Sequence, residues 1–84
     1  MDIRVGKVTH YYNRVSVAVL ELTGELKVGE TIHIFGRITD FEQRVGSMEI
    51  EHQKIQSAGS GTEVALEVRE PVRKGDIVFK YMKD

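Results

Sequence analysis

The sequence predicts an all-β protein: a small, closed, six-stranded antiparallel Greek-key barrel. Three observations predict it. β-branched residues dominate the apolar set, and apolar positions tend to alternate, which favours strands. No segment keeps apolar side chains at helical spacing for three turns. Two long strand patterns change phase partway at a glycine, as a β-bulge does. Bulges bend and coil strands, so that a small sheet can close and lose its exposed edges.

In the first strand Ile3 and Val5 share one parity, and Val8, His10 and Tyr12 share the other. The switch falls at Gly6-Lys7 and turns Val8, His10 and Tyr12 inward. Asn13-Arg14 makes a tight hairpin, because Asn tolerates a left-handed backbone. The second strand, Val15–Leu22, is apolar on both parities, which predicts cover on both faces. Thr23-Gly24 ends it. Thr31–Phe35 forms a short third strand, ended by Gly36-Arg37. The fourth runs from Phe41 to Ile50. Phe41 and Val45 share one parity there, Met48 and Ile50 the other, with the switch at Gly46-Ser47. The turn cluster Ala58-Gly59-Ser60-Gly61 precedes the fifth strand, Glu63–Arg69, with Val64, Leu66 and Val68 on one face. Pro71 sits in the next connection, where no ladder hydrogen bond is needed. Ile77–Tyr81 closes the set, with Ile77, Phe79 and Tyr81 together. The pattern shows neither a linker nor a second domain, so 1–84 is expected to form one domain.

Composition limits the function. A chain of 84 residues buries roughly 60–65% of its unfolded surface, which leaves little room for a deep catalytic cleft. The absence of cysteine predicts a reducing, cytoplasmic setting. The N-terminus lacks the apolar stretch of a signal peptide, and no apolar run approaches the roughly 20 residues that cross a bilayer. A net charge of -1, from 12 basic and 13 acidic side chains, is not that of a dedicated duplex-binding protein. The distribution is uneven. Between Asp2 and Glu21 lie Arg4, Lys7 and Arg14, with His10, and no acid, whereas from Asp40 to Glu70 the acids Asp40, Glu42, Glu49, Glu51, Glu63, Glu67 and Glu70 outnumber the bases Arg44, Lys54 and Arg69. Ordinary surface scatter is the favoured reading of this asymmetry.

No catalytic, metal or cofactor site is expected. His10, His33 and His52 lie on three different predicted strands without a ligand motif. Glu51 and His52, as strand neighbours, should point to opposite faces and form no dyad. The serines lack a nucleophile elbow. Gly59-Ser60-Gly61 lacks the lysine and the helix of a phosphate-binding loop, so nucleotide hydrolysis is not expected. The first hairpin is the most suggestive feature. Lys7, Tyr11 and Arg14, with Arg37 beyond the third strand, are candidate RNA-binding residues. Aromatic rings beside bases serve single-stranded RNA through stacking and phosphate attraction. The alternative is that Tyr11 and Tyr12 pack against neighbouring strands.

Several turns carry a resemblance. Leu26-Lys27-Val28-Gly29-Glu30, followed by Thr31-Ile32-His33-Ile34, resembles the turn and strand of the second domain of translation elongation factors such as elongation factor Tu. Gln43-Arg44-Val45-Gly46-Ser47-Met48-Glu49-Ile50-Glu51-His52 is similar to that family's long fourth strand. Ala58-Gly59-Ser60-Gly61-Thr62-Glu63-Val64 resembles its approach to the fifth, and Val72-Arg73-Lys74-Gly75-Asp76-Ile77-Val78 its closing strand. The resemblance implies a translation-protein barrel, here without the GTPase domain, that contacts RNA or the ribosome. The first hairpin, His10-Tyr11-Tyr12-Asn13-Arg14-Val15, departs from the family pattern, so no aminoacyl-tRNA pocket is carried over. The same barrel type resembles the C-terminal module of some collagenase-like peptidases, which accompanies a catalytic domain. That implies the alternative function, a non-catalytic accessory module for a separately encoded protein.

Overall fold

The computed structural model describes residues 2–82; residues 1, 83 and 84 of the expected domain lie outside that range. The described chain is all β. Its strands are β1 (Asp2–Tyr12), β2 (Val17–Leu22), β3 (Leu26–Lys27), β4 (Thr31–Phe35) and β5 (Asp40–Arg44). They continue with β6 (Met48–Ile50), β7 (Gln53–Ile55), β8 (Ser57–Ala58), β9 (Glu63–Glu67) and β10 (Ile77–Tyr81). Eight form one antiparallel sheet in the order β5-β4-β10-β1-β2-β9-β6-β7, and β3 pairs with β8 in a small second sheet.

The expected six strands become ten because the fourth breaks into β5 and β6 and because three short strands, β3, β7 and β8, join the set. The phase change at Gly46-Ser47 is not a bulge. It separates β5, which pairs with β4, from β6, which pairs with β7 and β9. Val45 is drawn out of the strand. Its N–H donates to the Glu30 carbonyl at 2.8 Å, and its carbonyl accepts from the Gly29 N–H at 2.8 Å. Val45–Ser47 thereby links opposite margins of the sheet, which coils round on itself. It is not a closed barrel. No ladder joins β5 to β9. The Gln43 side chain stands in that gap, with Nε2 donating to the Glu67 carbonyl (2.8 Å) and Oε1 accepting from the Arg69 N–H (2.9 Å).

The longest strand sets the curvature. Against β10 the register of β1 shifts between Arg4 and Gly6, so Val5 is the extra residue. This is the bulge expected at Gly6. Val5 and Val8 are both buried, and a side chain on Gly6 would meet the Glu21 carbonyl oxygen at 2.7 Å. A second shift, against β2, falls between Val8 and His10 and makes Thr9 extra. The Thr9 hydroxyl donates to the Val19 carbonyl at 3.2 Å. This bulge restores the original parity. Tyr11 therefore lies opposite buried Ala18 and packs against the core, while His10 and Tyr12 face outward. The expected inward placement of His10 and Tyr12 is corrected accordingly.

The core gathers alternate residues of each strand. Ala18, Leu20 and Leu22 meet Ile32, Ile34, Val64, Leu66 and Val78, with Phe41, Val45 and Met48 behind them. In β10 the set Ile77, Phe79 and Tyr81 turns outward, and Val78 and Lys80 turn inward. Lys80 is 8% exposed. A buried ammonium is tolerable only when paired and hydrogen-bonded. Its Nζ donates to the Glu25 carbonyl at 2.7 Å and lies 3.4 Å from Glu30 Oε2. Glu30 Oε1 in turn accepts the Lys27 N–H at 2.7 Å.

Two pairs of substitutions check this account by urea denaturation. Gly6→Ala should cost about 1–3 kcal/mol through its clash with the opposing backbone. Gly46→Ala, where a Cβ meets nothing within 4 Å, should be neutral or stabilising by about 0.4–1 kcal/mol. Tyr11→Ala should cost roughly 1–3 kcal/mol because the ring is half in the core. Tyr12→Ala, at an outward position, should stay within about 0.5 kcal/mol of the parent. Equal losses at Tyr11 and Tyr12 would remove the second bulge from this description.

Candidate functional site

The outward face of β1, β2 and β9 follows from the registers. Lys7, Glu21 and Glu63 form one cross-strand row. His10, Val19, Ala65 and Glu49 form the next. Tyr12, Val17 and Glu67 form the third. The His10 and Tyr12 rings stack with centroids 6.2 Å apart. Between these rows and the β6–β7 hairpin lies an open groove of about 1000 Å³. Its floor is Val17, Val19 and Ala65, all half-buried. Tyr12 and Val15, 54% and 60% exposed, close one end.

This groove resolves the apolar pattern of the second strand. Val15 lies in the turn after β1, and Ala18, Leu20 and Leu22 point into the core. Val17 and Val19 face outward, and no element of the described chain covers them. A β2 strand apolar on both faces thus has one face unpartnered.

The hairpin turn that walls the groove is unusual. Glu51 and His52 have φ of 50° and 67°, both left-handed. A two-residue connection with two positive φ values has the pattern of a type I′ turn, which favours Asn-Gly. Non-glycine residues there cost on the order of 1–3 kcal/mol each. The expected opposite-facing strand neighbours are therefore adjacent turn residues, and both line the groove. Glu49, Glu51 and Glu63 also line it, without a lysine or arginine among the lining residues. None of the three makes an ion pair among the described residues.

The four candidate RNA-binding residues are not brought together. Lys7 faces outward and lies 3.8 Å from Glu21, whereas Tyr11 on the same strand turns inward. Arg14 is exposed in the turn after β1, and Arg37 in the bend between β4 and β5. His33 acquires a partner that its strand pattern did not signal. Its Nε2 donates to Asp40 Oδ1 at 2.6 Å, across the β4–β5 pair. The two come from separate strands, and only the register brings them together. Among the described residues no group of three His, Cys, Asp or Glu could hold a metal ion. Nor is any helix there long and apolar enough to cross a membrane.

No protein-family model matches the chain. It is 41% identical over 78 residues to an uncharacterised protease of Methanocaldococcus jannaschii, covering 92% of this chain and 19% of that protein. It is 35% identical over 83 residues to a collagenase of Porphyromonas gingivalis, covering 96% of this chain and 20% of that one. The chain thus spans about one fifth of the length of the curated relatives it matches. Its fold superposes on the C-terminal domain of a Geobacillus thermoleovorans protein assigned as a U32 peptidase. The TM-score is 0.87 at 20% identity, over 93% of this chain and 91% of that domain. A selenomethionine variant of the same domain gives 0.86 at 19%.

These findings overturn the elongation-factor resemblance and favour the accessory-module reading over the translation reading drawn from it. The motifs behind it centre on turns that launch strands, such as those at Gly29 and Gly75, with φ of 97° and 96°. Glycine is used there because the backbone must be left-handed. Such turns report sheet geometry, not ancestry. Nearly the whole chain is instead similar to one fifth of proteins named protease or collagenase, and it has the fold of a U32 peptidase C-terminal domain.

Proposed function

We propose that this chain is a non-catalytic accessory module that binds a polypeptide partner, the partner being a peptidase. One observation carries the reading. The chain matches only about one fifth of each curated relative, and it superposes on 91% of the separately solved C-terminal domain of the Geobacillus thermoleovorans protein. In this reading the cleavage chemistry of the relatives belongs to the four fifths that the chain does not match. The uncovered apolar face of β2 and β9 supports it, since exposed apolar patches rimmed by polar residues mark interaction sites.

Two measurements check the proposal. Incubated alone with fluorogenic gelatin and casein, the chain should release no product above a heat-inactivated control. Mixed with a U32-type peptidase lacking its own C-terminal domain, it should form a complex visible by sedimentation velocity. Hydrolysis that follows the chain through a second chromatographic separation would overturn the non-catalytic assignment. Absence of a complex at tens of micromolar would overturn the assignment of a peptidase as partner.

A further inference from the structure

We infer that the groove between β2, β9 and the β6–β7 turn is the docking site, and that it takes an extended polypeptide segment alternating apolar and basic side chains. The inference deepens the accessory reading above by naming the surface and the chemistry of what it binds.

The occupant follows from the lining. Val17, Val19 and Ala65 offer an apolar floor on the outward sheet face. An extended segment lays every second side chain on such a floor. Tyr12 and Val15, the most exposed apolar groups of this region, stand where a bulky side chain would end. Glu49, Glu51 and Glu63 line the groove, free of ion pairs among the described residues. A smaller depression continues past Val17 and Ala65 to Glu67, and there Lys54 is the one base among its lining residues. Four glutamates against one lysine select a cationic partner and repel an anionic one. RNA and anionic lipid are therefore disfavoured, because phosphates would face carboxylates. A second copy is disfavoured too, since a two-fold contact would set this acidic patch against itself. The Glu51-His52 turn serves the same site. Its left-handed backbone holds Glu51 at the wall of the groove, in a conformation that asparagine and glycine would adopt at lower cost.

The test uses fluorescence anisotropy with three labelled probes: a nine-residue peptide alternating leucine and lysine, its leucine–glutamate counterpart, and oligouridine of similar length. The lysine peptide should bind at least tenfold more tightly than the other two. Glu51→Lys combined with Glu63→Lys should reverse that preference, while Glu42→Lys on β5 should leave it unchanged. Val17→Thr, which keeps the shape of the floor and adds a hydroxyl, should weaken both peptides alike. All variants should retain the parent circular dichroism spectrum. Equal binding of the two peptides, tighter binding of oligouridine, or a charge-reversed variant that still prefers lysine would overturn the inference. Its failure is distinguishable from that of the accessory reading. If the charge-reversed chain still joins the peptidase, the groove is wrong and the module stands. If the lysine peptide binds but the peptidase does not, the groove stands and the peptidase partner is wrong.

Discussion

The architecture depends on the two register shifts within β1. This strand is paired along both edges, to β10 on one side and β2 on the other. Any extra residue in it displaces every neighbour relative to the core. The first shift, at Val5, needs Gly6, because the Glu21 carbonyl occupies the place of a side chain. The second, at Thr9, is held by a hydroxyl bonded to the Val19 carbonyl. Each shift coils the strand further and exchanges its faces. Between them the Val8 backbone is unpaired to β10, and the chain before β10 completes it. The Val8 N–H donates to the Asp76 carbonyl, and the Gly75 N–H donates to the Val8 carbonyl, both at 2.8 Å.

Polar side chains complete what the ladders leave open. Gln43 bridges the seam between β5 and the end of β9. Asp76, 5% exposed, accepts the Arg73 N–H at 2.9 Å and lies where a side chain on Gly36 would fall. Lys80 ties the β2–β3 connection to Glu30. Each bonds backbone groups that no strand ladder pairs, at exposed or half-buried positions. No buried side-chain nitrogen or oxygen among the described residues lacks a partner. The sheet can therefore stay open at one seam without leaving an aggregation-prone edge there.

The same coiling makes the groove. Because the second bulge turns Tyr11 inward, Tyr12 is delivered to the outer face beside Val17. Because β6 crosses to β9, Glu49 joins the row of Val19 and Ala65. The groove draws on three separate stretches of the sequence: β2 with Val17 and Val19, the β6–β7 hairpin with Glu49 and Glu51, and β9 with Glu63 and Ala65. In the accessory role proposed above, such an exposed surface serves recognition, which needs no converging titratable groups.

The sequence by itself determined the strand class, most strand positions and the glycine-dependent bulge. These rest on local signals: alternation, and glycine where a side chain cannot fit. It also marked β2 as apolar on both faces, which is the trace of the groove. The Thr9 bulge was not legible, because threonine is an ordinary strand residue and His10 and Tyr12 suit either face. The inward Lys80 was hidden likewise, since only the fold supplies the Glu25 carbonyl and Glu30 carboxylate that make its burial tolerable. The break at Gly46-Ser47 looked like a bulge because both change parity, and only the pairing partners of β5 and β6 tell them apart. Tertiary structure alone decided that the sheet stays open, and that Glu49, Glu51 and Glu63 meet Val17, Val19 and Ala65. Both outcomes depend on long-range register, and register is fixed by the assembled sheet, not by any segment of it.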